Sequence, residues 1–574
     1  MNALHRLNSI AGSQAGLPLP LETRLACPTV MPASNHNIDP AWPPGTVRLE
    51  DISPSAEGAQ VILEPKPSSD PNDPLNWPQW RKYVNFGFVS YYAMIVFALI
   101  NVATVTWGSM NIELGFSFVL LNDSYAAGCG ALCIGAVILV PFALKFGRRP
   151  IYVLSTAVQC GISIWSAQVH TVADLMLVNI LSCIFGALAE VLVQMTVADV
   201  FFVHERGLMN TLYLWAVSVG LSLAPLAGGF VTLSQGWRWV WWWMTILFGA
   251  GFIGFFFFYE ETMFCVPSVD GIPVADRPAS QPASGKHGFE PSGSKGEQHD
   301  STQQPIQTEH VEIDYSIPKK PYLKKLALWS NSPMSFVELL KHSYQPFLIM
   351  FSIPAVLFMA LEYGIMTACA TVPATTLASV MTLPPYNFSS AQIGLMGLAP
   401  FIGTSLATIV CGPLSDSIVL RLTKRNGGVF EPEMRLWLSL IFLPLVPAGL
   451  FMFGIGLNNG SHWILPAFGL GINAFGVVPA GSATLTYLTD AYTDIIAGSV
   501  VGVTFMRNLI STIFVFALAP WVDRVGLTWF FVTFGLIATI IMLGNVIFIY
   551  FGKSFRVRFA EKYRFFSAQS LGAA

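Results

Sequence analysis

The sequence predicts an all-α polytopic membrane protein with twelve transmembrane helices arranged as two halves of six. Of the 574 residues, 53% are hydrophobic and only 11% are charged, whereas soluble domains carry about 25% charged residues. The apolar residues fall into blocks of about 20, the length of helix that crosses a hydrocarbon core ~30 Å thick. A long polar stretch separates the first six blocks from the last six.

The N-terminal half begins after a polar tail. Residues 1–80 are rich in Pro, Ser, Ala and Asn, a composition that predicts a disordered segment. A six-helix bundle is then predicted over 83–262. Its spans are predicted at 83–107, 123–144, 150–169, 174–197, 209–232 and 238–259.

The C-terminal half follows a linker, residues 263–335, whose Ser, Pro, Gly, Gln and His content predicts that it is largely disordered. The second bundle, 336–551, opens with an amphipathic stretch from Ser335 to Pro346 that we expect to lie along the membrane interface. Residues 552–574 form a C-terminal tail in this prediction. The six spans are predicted at 346–369, 391–414, 436–457, 463–487, 498–520 and 528–551.

Lysine and arginine in short loops indicate which side of the membrane is cytoplasmic. Thirteen of them collect on one side, and only Arg238 and Arg524 lie on the other, so both tails and the linker are predicted to be cytoplasmic. Loops predicted on the outer side contain three N-x-[ST] sequons, at Asn122, Asn387 and Asn459, which are candidate glycosylation sites. The thirteen are Arg81, Lys82, Lys145, Arg148, Arg149, Arg206, Arg421, Lys424, Arg425, Arg435, Lys553, Arg556 and Arg558.

Two cytoplasmic turns of the first half carry charges that could form a gate. The turn KFGRRP contains Lys145, Arg148 and Arg149. The segment between spans four and five contains Asp199 and Arg206, which could pair with each other or with the arginines of the first turn. A simpler interpretation, that these charges only anchor the topology, applies to the same residues.

Span five contains the stretch GLSLAPLAGGF, with Gly220, Pro225, Gly228 and Gly229. Small residues four apart leave a flat ridge on which another helix can approach closely. The proline bends the helix, which a membrane helix tolerates when its neighbours satisfy the freed carbonyl group. The sequence therefore predicts a close helix contact here.

These motifs resemble those of a known family. KFGRRP resembles the loop signature GxLaDRxGRRP of major facilitators, with Leu144 at the acidic position and Val140 at the leading glycine. The span-five stretch resembles GxxxGPxxGG, the signature of drug:proton antiporters, with Ala224 replacing one glycine. Six further motifs over residues 70–565 are similar to those of fungal transporters of the twelve-span drug:proton antiporter family. They are DPNDPLNWPQWRKY, YEET, GPLSD, NGGVFEPEMRL, YLTDAY and MRN.

The resemblance implies a transporter of the major facilitator fold, with its substrate site between the halves near the midplane and alternating access by rocking. Its partners would be a small-molecule substrate, protons and the lipid bilayer, without a cofactor, a metal or nucleic acid, and the protein would act as a monomer in the plasma membrane. Many such antiporters have an arginine in span four that is tied to proton movement. The matching positions here are Asn179 and Cys183, so the resemblance does not identify the proton-coupling residue.

Charged residues inside the predicted spans are the best guide to a site, because each costs at least ~2.5–3.5 kcal/mol at the bilayer centre. Glu190 in span four could bind and release a proton. Glu362 lies in the predicted outer half of span seven, next to Tyr363. Arg507 in span eleven requires a carboxylate, helix-end carbonyl groups or an anionic substrate as its partner.

We expect four uncharged residues to line the same cavity: Asn101 and Trp107 of span one, Gln194 of span four and Tyr363. The first hypothesis is proton-coupled export of amphipathic organic compounds such as drugs, toxins or a secondary metabolite. The alternative is proton-driven uptake of cations such as polyamines, with Glu190 and Glu362 as substrate carboxylates. An enzyme is not expected, since the sequence lacks H-E-x-x-H, G-x-S-x-G and P-loop motifs.

Overall fold

The computed structural model describes residues 43–48, 70–263, 268–269, 272–273, 321, 326 and 336–571. Most of the predicted N-terminal tail and most of the predicted linker therefore lie outside the described residues. Within the linker, Ser268–Val269 and Ile272–Pro273 pair as a two-stranded antiparallel hairpin.

Six helical spans make up the N-terminal half. Span four is interrupted at Ala187, where its first segment ends and a second begins. A short 3-10 helix, Pro74–Asn76, capped by the Asp73 side chain, leads into span one. The spans are Gln79–Leu114, Phe118–Phe146, Arg148–Ala167, Val172–Gly186 with Leu188–Val200, Val203–Gln235 and Trp237–Phe257.

The C-terminal half has six more spans, preceded by the helix Phe336–Ser352 at the predicted amphipathic stretch. Spans eight, nine and twelve are each interrupted, at Gly397, at Leu443–Pro444 and at Gly544. Spans seven to twelve are Pro354–Val380, Ser390–Met396 with Leu398–Arg425, Leu436–Phe442 with Leu445–Asn458, Ile464–Ala491, Ile496–Val525, and Leu527–Leu543 with Asn545–Arg558.

Eleven of these helices are long and apolar enough to cross a membrane. The remaining one is span three, a helix of 20 residues that begins with Arg148 and Arg149 and buries several polar side chains. It packs along span six and contacts span four. Its polar side chains thus lie inside the bundle, and it completes the predicted set of twelve.

Helix ends differ from the predicted ends where local capping decides them. Ser117 accepts a hydrogen bond from the Leu120 backbone, so span two begins at Phe118 and includes Asn122. Span seven begins at Pro354, a favoured first helical position, and not at 346. The expectation that Glu362 lies in the outer half of span seven is therefore wrong: it lies about 12 Å along the helix from Pro354.

The two ends of the bundle differ in what they carry. We call the end at which span six finishes at Phe257 and span seven starts at Pro354 the linker face, and the other end the opposite face.

The predicted C-terminal tail is helical over most of its length. Span twelve continues to Arg558 on the linker face, and a further helix, Ala560–Leu571, places Tyr563 against Tyr492.

Part of the predicted N-terminal tail is docked on the linker face of the C-terminal half. Val47–Arg48 pairs antiparallel with Val429–Phe430. Gly45 has a φ of +84° and packs so closely on the backbone of Asp490 that a Cβ atom there would lie 2.6 Å from its carbonyl oxygen. The prediction of a tail disordered throughout is therefore wrong at residues 43–48, and also at 70–80, which hold the 3-10 helix Pro74–Asn76 and the start of span one.

The glycine stretch of span five packs against two helices at once. Gly220 lies against the backbone carbonyl of Met94 in span one, with no room for a Cβ atom. Further along the same helix, Gly229 lies against the Ser390 carbonyl, and the Pro225 carbonyl lies against Gly394, both in span eight. The stretch therefore joins the two halves, which explains why so many small residues occur in this helix.

Replacing Gly220 with alanine should prevent spans one and five from closing, because the neighbouring atom belongs to the backbone and cannot rotate away. We expect a clear loss of monodisperse protein in fluorescence-detected size-exclusion chromatography and a lower melting temperature. Gly249→Ala is the matched control: a Cβ atom at this position would have no neighbouring atom within 4 Å, and alanine favours a helix by up to about 1 kcal/mol. Equal behaviour of the two variants would contradict this packing.

Candidate functional site

A buried ion pair connects the two halves in the middle of the bundle. The guanidinium of Arg507 in span eleven pairs with Glu190 in span four. Asn508 Nδ2 donates a 2.8 Å hydrogen bond to the second carboxylate oxygen of Glu190. Glu190 is only 4% exposed. Two consecutive residues of the MRN motif thus hold both oxygens of one carboxylate on the other half.

Aromatic residues surround this pair. The Tyr363 ring centroid lies 5.3 Å from Arg507 Cζ, a cation–π distance. Tyr213 of span five donates a 2.8 Å hydrogen bond to the Ala189 carbonyl, next to Glu190. Among the described residues, Arg507 Nε is buried without a hydrogen-bond partner. The Nε–H group is therefore a donor that could serve another group.

Gln194 lies one helical turn beyond Glu190, on the same face of span four. Its side chain is partly buried. Together, Glu190, Gln194, Arg507 and Tyr363 form what we call the midplane cluster. These are four of the seven residues that the sequence predicted for the substrate and proton pathway.

The other three predicted residues do not join the midplane cluster. Asn101 donates a hydrogen bond to the Leu221 carbonyl of span five and so supports the glycine contact. Trp107 is buried inside the N-terminal half, where its ring centroid lies 6.3 Å from that of Tyr125. The cavity beside Trp107 has a volume of about 10 Å³, which holds about one water molecule and not a substrate.

Glu362 points into the C-terminal half and away from the midplane cluster. Ser439 Oγ donates to its Oε1 atom at 3.0 Å and Asn545 Nδ2 donates to the same atom at 2.5 Å. Ser439 belongs to span nine and Asn545 to span twelve. The prediction that Glu362 lines the substrate cavity is therefore wrong, because span seven turns this side chain toward the bundle interior.

The charged turns form a network on the linker face of the N-terminal half. Arg148 Nε lies 2.6 Å from Asp199 Oδ2, which is one of the two predicted pairings. Arg206 instead donates to the Phe201 and Ala198 carbonyls, at 2.9 and 2.7 Å, and so caps the end of span four. The pair of Arg148 and Asp199 thus holds span four to the turn between spans two and three.

Arg149 and Lys145 have different surroundings. Arg149 donates to the Tyr259 and Phe256 carbonyls, at 2.9 and 2.6 Å, at the end of span six. Lys145 Nζ lies 5.8 Å from the Phe146 ring centroid. Arg149 therefore fastens span three to span six.

Sequence reasoning missed the carboxylate that completes this turn. Glu261 of the YEET motif accepts from the backbone N–H groups of Arg148 and Arg149, at 3.0 and 3.1 Å. It thus places a negative charge at the start of span three, where helix N-termini favour one, while Leu144 occupies the acidic position of the loop signature. The feature of the sequence that could have identified Glu261 is an acidic residue directly after a span, on the side of the membrane that is rich in arginine.

The C-terminal half also has a network of ion pairs on its linker face. Arg435, before span nine, pairs with Asp490 at the end of span ten. Arg556 of span twelve binds Glu433 with two hydrogen bonds of 2.8 and 2.7 Å, and it also donates to the Pro44 carbonyl at 2.6 Å. The motifs EPEM and YLTD, which the sequence singled out only by their likeness, thus supply the acids of a second linker-face network.

The three sequons differ in accessibility. Asn387 and Asn459 are exposed on the opposite face. Asn122 is buried in span two, and its Nδ2 atom donates a 2.9 Å hydrogen bond to the Val515 carbonyl of span eleven. The prediction of a glycan at Asn122 is therefore wrong, since the atom that would carry the sugar is enclosed in the contact between the halves.

Comparisons with known proteins agree with this architecture. The sequence profile of the Major Facilitator Superfamily matches residues 86–514. An uncharacterized MFS-type transporter, C1271.10c, of Schizosaccharomyces pombe is 32% identical, covering 88% of this chain and 89% of its own. Protein HOL1 of Saccharomyces cerevisiae is 30% identical, covering 81% and 85%. The chain therefore belongs to the Major Facilitator Superfamily.

Solved structures show the same fold at low identity. The proton:xylose symporter XylE superposes with a TM-score of 0.53 at 14% identity, covering 82% of this chain and 97% of that one. At that identity the likeness concerns the fold alone. The twelve helices described above accordingly form a major facilitator fold.

Asn122→Gln should leave the electrophoretic mobility of the protein from a glycosylating host unchanged. Any shift on treatment with an endoglycosidase should instead disappear in the double variant Asn387→Gln/Asn459→Gln, because those two side chains are exposed. A shift that is lost in Asn122→Gln alone would contradict the buried position of Asn122.

Proposed function

We propose that this major facilitator is a proton-coupled exporter of amphipathic organic compounds, acting as a monomer in the plasma membrane with both termini in the cytoplasm. The observation that carries the proposal is the buried pair between Glu190 and Arg507, which joins one half to the other. A pair in this position can respond both to a proton and to a substrate. It can also restrain the rocking that alternating access requires.

Breaking a buried ion pair by neutralising one partner leaves the other charge uncompensated, at a cost of about 3–5 kcal/mol. Protonation of Glu190 removes its attraction for Arg507, so proton binding and separation of spans four and eleven are thermodynamically linked. Asn508 can hydrogen-bond either form of the carboxyl group. It acts as a positioning residue that keeps Glu190 at the interface after the proton arrives.

Export against a proton gradient requires that proton and substrate exclude each other. A substrate with a cationic or hydrogen-bond-donating group could replace Arg507 at Glu190, and protonation of Glu190 would then expel it. The rings of Tyr213 and Tyr363 nearby suit the apolar part of such a compound. This competition supports an amphipathic substrate with a basic or donor group.

Uptake of cations such as polyamines is the second candidate. It is supported by the presence of Glu190 at the interface, but the second carboxylate of that hypothesis, Glu362, faces the interior of the C-terminal half. A polyamine would thus meet one carboxylate and not two within the midplane cluster. For this reason export is the stronger proposal.

The test is accumulation of a panel of labelled compounds in pump-deficient yeast expressing the full chain. We expect lower accumulation of at least one amphipathic compound, and we expect a protonophore or Glu190→Gln to abolish the difference. Glu113→Gln is the matched control, because this carboxylate pairs with Arg238 near the opposite face, and its side chain is 48% exposed. The control should export as the unchanged protein does.

Other outcomes decide against the proposal. Higher accumulation of polyamines in wild-type cells would assign the protein to uptake. Export that persists in Glu190→Gln at an unchanged rate would remove Glu190 from proton coupling. If no compound changes, the proposed substrate class is wrong, while membership of the superfamily is unaffected.

A further inference from the structure

The cluster around Glu362 has no role in the mechanism proposed above. Glu362 is 0% exposed. Its Oε1 atom accepts hydrogen bonds from Ser439 and Asn545, and Asn545 Nδ2 also donates to Ser439 Oγ at 3.0 Å. The cluster lies beside the interruptions of spans nine and twelve, at Leu443–Pro444 and Gly544. Three spans of one half thus enclose a single carboxyl group.

The groups that face Glu362 are neutral. They are Ser439 from span nine, Thr484 from span ten and Asn545 from span twelve. The guanidinium of Arg507, from span eleven, is engaged with Glu190 and the ring of Tyr363. None of the ion pairs among the described residues, drawn at 4.0 Å or less, includes Glu362. An ionised carboxylate without a partner costs several kcal/mol in such an interior, so a positive charge must accompany it.

The pattern of hydrogen bonds indicates which cation this is. Glu362 Oε2 and Asn545 Oδ1 are both buried acceptors without a donor among the described residues. A proton on the carboxyl group adds the donor that the cluster lacks. A metal ion would need several oxygen ligands, yet the amide nitrogen of Asn545 already occupies Glu362 Oε1 and Ser439 Oγ. The cluster therefore fits a proton better than a sodium ion.

The N-terminal half contains an internal comparison. There, spans one and three are joined by Tyr92 and Ser155, whose hydroxyl oxygens lie 2.6 Å apart and each 3.2 Å from the Phe185 carbonyl oxygen, so that one hydroxyl donates to the other and the second donates to the carbonyl. That contact performs the same packing with neutral groups only. An acid is thus not needed to join the first and third spans of a half, and its presence at 362 calls for another explanation.

We propose that Glu362 is a second proton-binding site, enclosed within the C-terminal half and separate from the Glu190–Arg507 pair. Its coupling to transport rests on the function proposed above; its occupancy by a proton does not. The next residue, Tyr363, contacts Arg507. Any movement of span seven that changes the surroundings of Glu362 therefore also moves the ring that faces the midplane cluster.

The experiment uses the purified full-length protein in lipid nanodiscs and the proton as the only ligand. Infrared spectra are recorded across a pH series, and the carbonyl stretch of a protonated carboxylic acid is followed. We expect this band at neutral pH in the wild type and in Glu190→Gln, and its loss in Glu362→Gln. Ser439→Ala removes one hydrogen bond to the carbonyl oxygen and should shift the band to higher frequency.

The Ser439→Ala shift keeps the test valid if Glu362→Gln fails to fold. A band that is unmoved by Ser439→Ala belongs to another carboxyl group and overturns the proposal. Absence of the band at neutral pH in the wild type also overturns it, and a melting temperature that rises in sodium but not in choline would then identify a metal ion. Failure of the transport assay with the band intact would count against export and not against this site.

Discussion

An unpaired charge is more costly in hydrocarbon than almost any other defect, and this constraint determines where the chain keeps its few charged side chains. Near the middle of the bundle the described residues hold Arg507 with Glu190, and nearer the linker face Arg148 with Asp199. Each pair also fixes two helices in space. The same ion pairs thus neutralise the buried charges and hold the helices in position.

The pairs differ in what they connect, and this difference separates their roles. Arg148 with Asp199 and Arg435 with Asp490 each lie within one half, so they hold a half together as it moves. Glu190 with Arg507 crosses between halves, as do the glycine contacts of span five with span eight. Only contacts of the second kind must change when the halves rock against each other.

The sequence was sufficient for the helices and for the charged candidates, since both follow from local composition. Apolar blocks predicted twelve spans, and the cost of buried charge selected Glu190, Glu362 and Arg507, of which Glu190 and Arg507 meet between the halves. The sequence could not pair them, because spans four and eleven are 318 residues apart at the contact between Glu190 and Asn508. Partners across the two halves depend on tertiary packing, which local patterns do not encode.

The direction in which a side chain points was the second feature that could not be predicted from the sequence. Span seven is apolar around its whole circumference, so its periodicity did not indicate which face meets the other half. Glu362 and Tyr363 are adjacent in sequence and face different environments, one the bundle interior and the other Arg507. Asn122 was misplaced because the cap at Ser117 starts span two at Phe118 and not at residue 123, so that Asn122 lies inside the helix.

The separation of Glu190 from Glu362 bears on the direction of transport. If the proton binds where the substrate binds, the two ligands compete, and the result is exchange. If the proton binds at a distant acid, both ligands can be carried together, and the result is symport. Glu190 meets the interface and permits competition, whereas Glu362 is enclosed in one half and cannot contact a substrate there. Competition at Glu190 is therefore the basis of the proposed export, whereas the proton proposed at Glu362 binds at a place where no substrate can displace it.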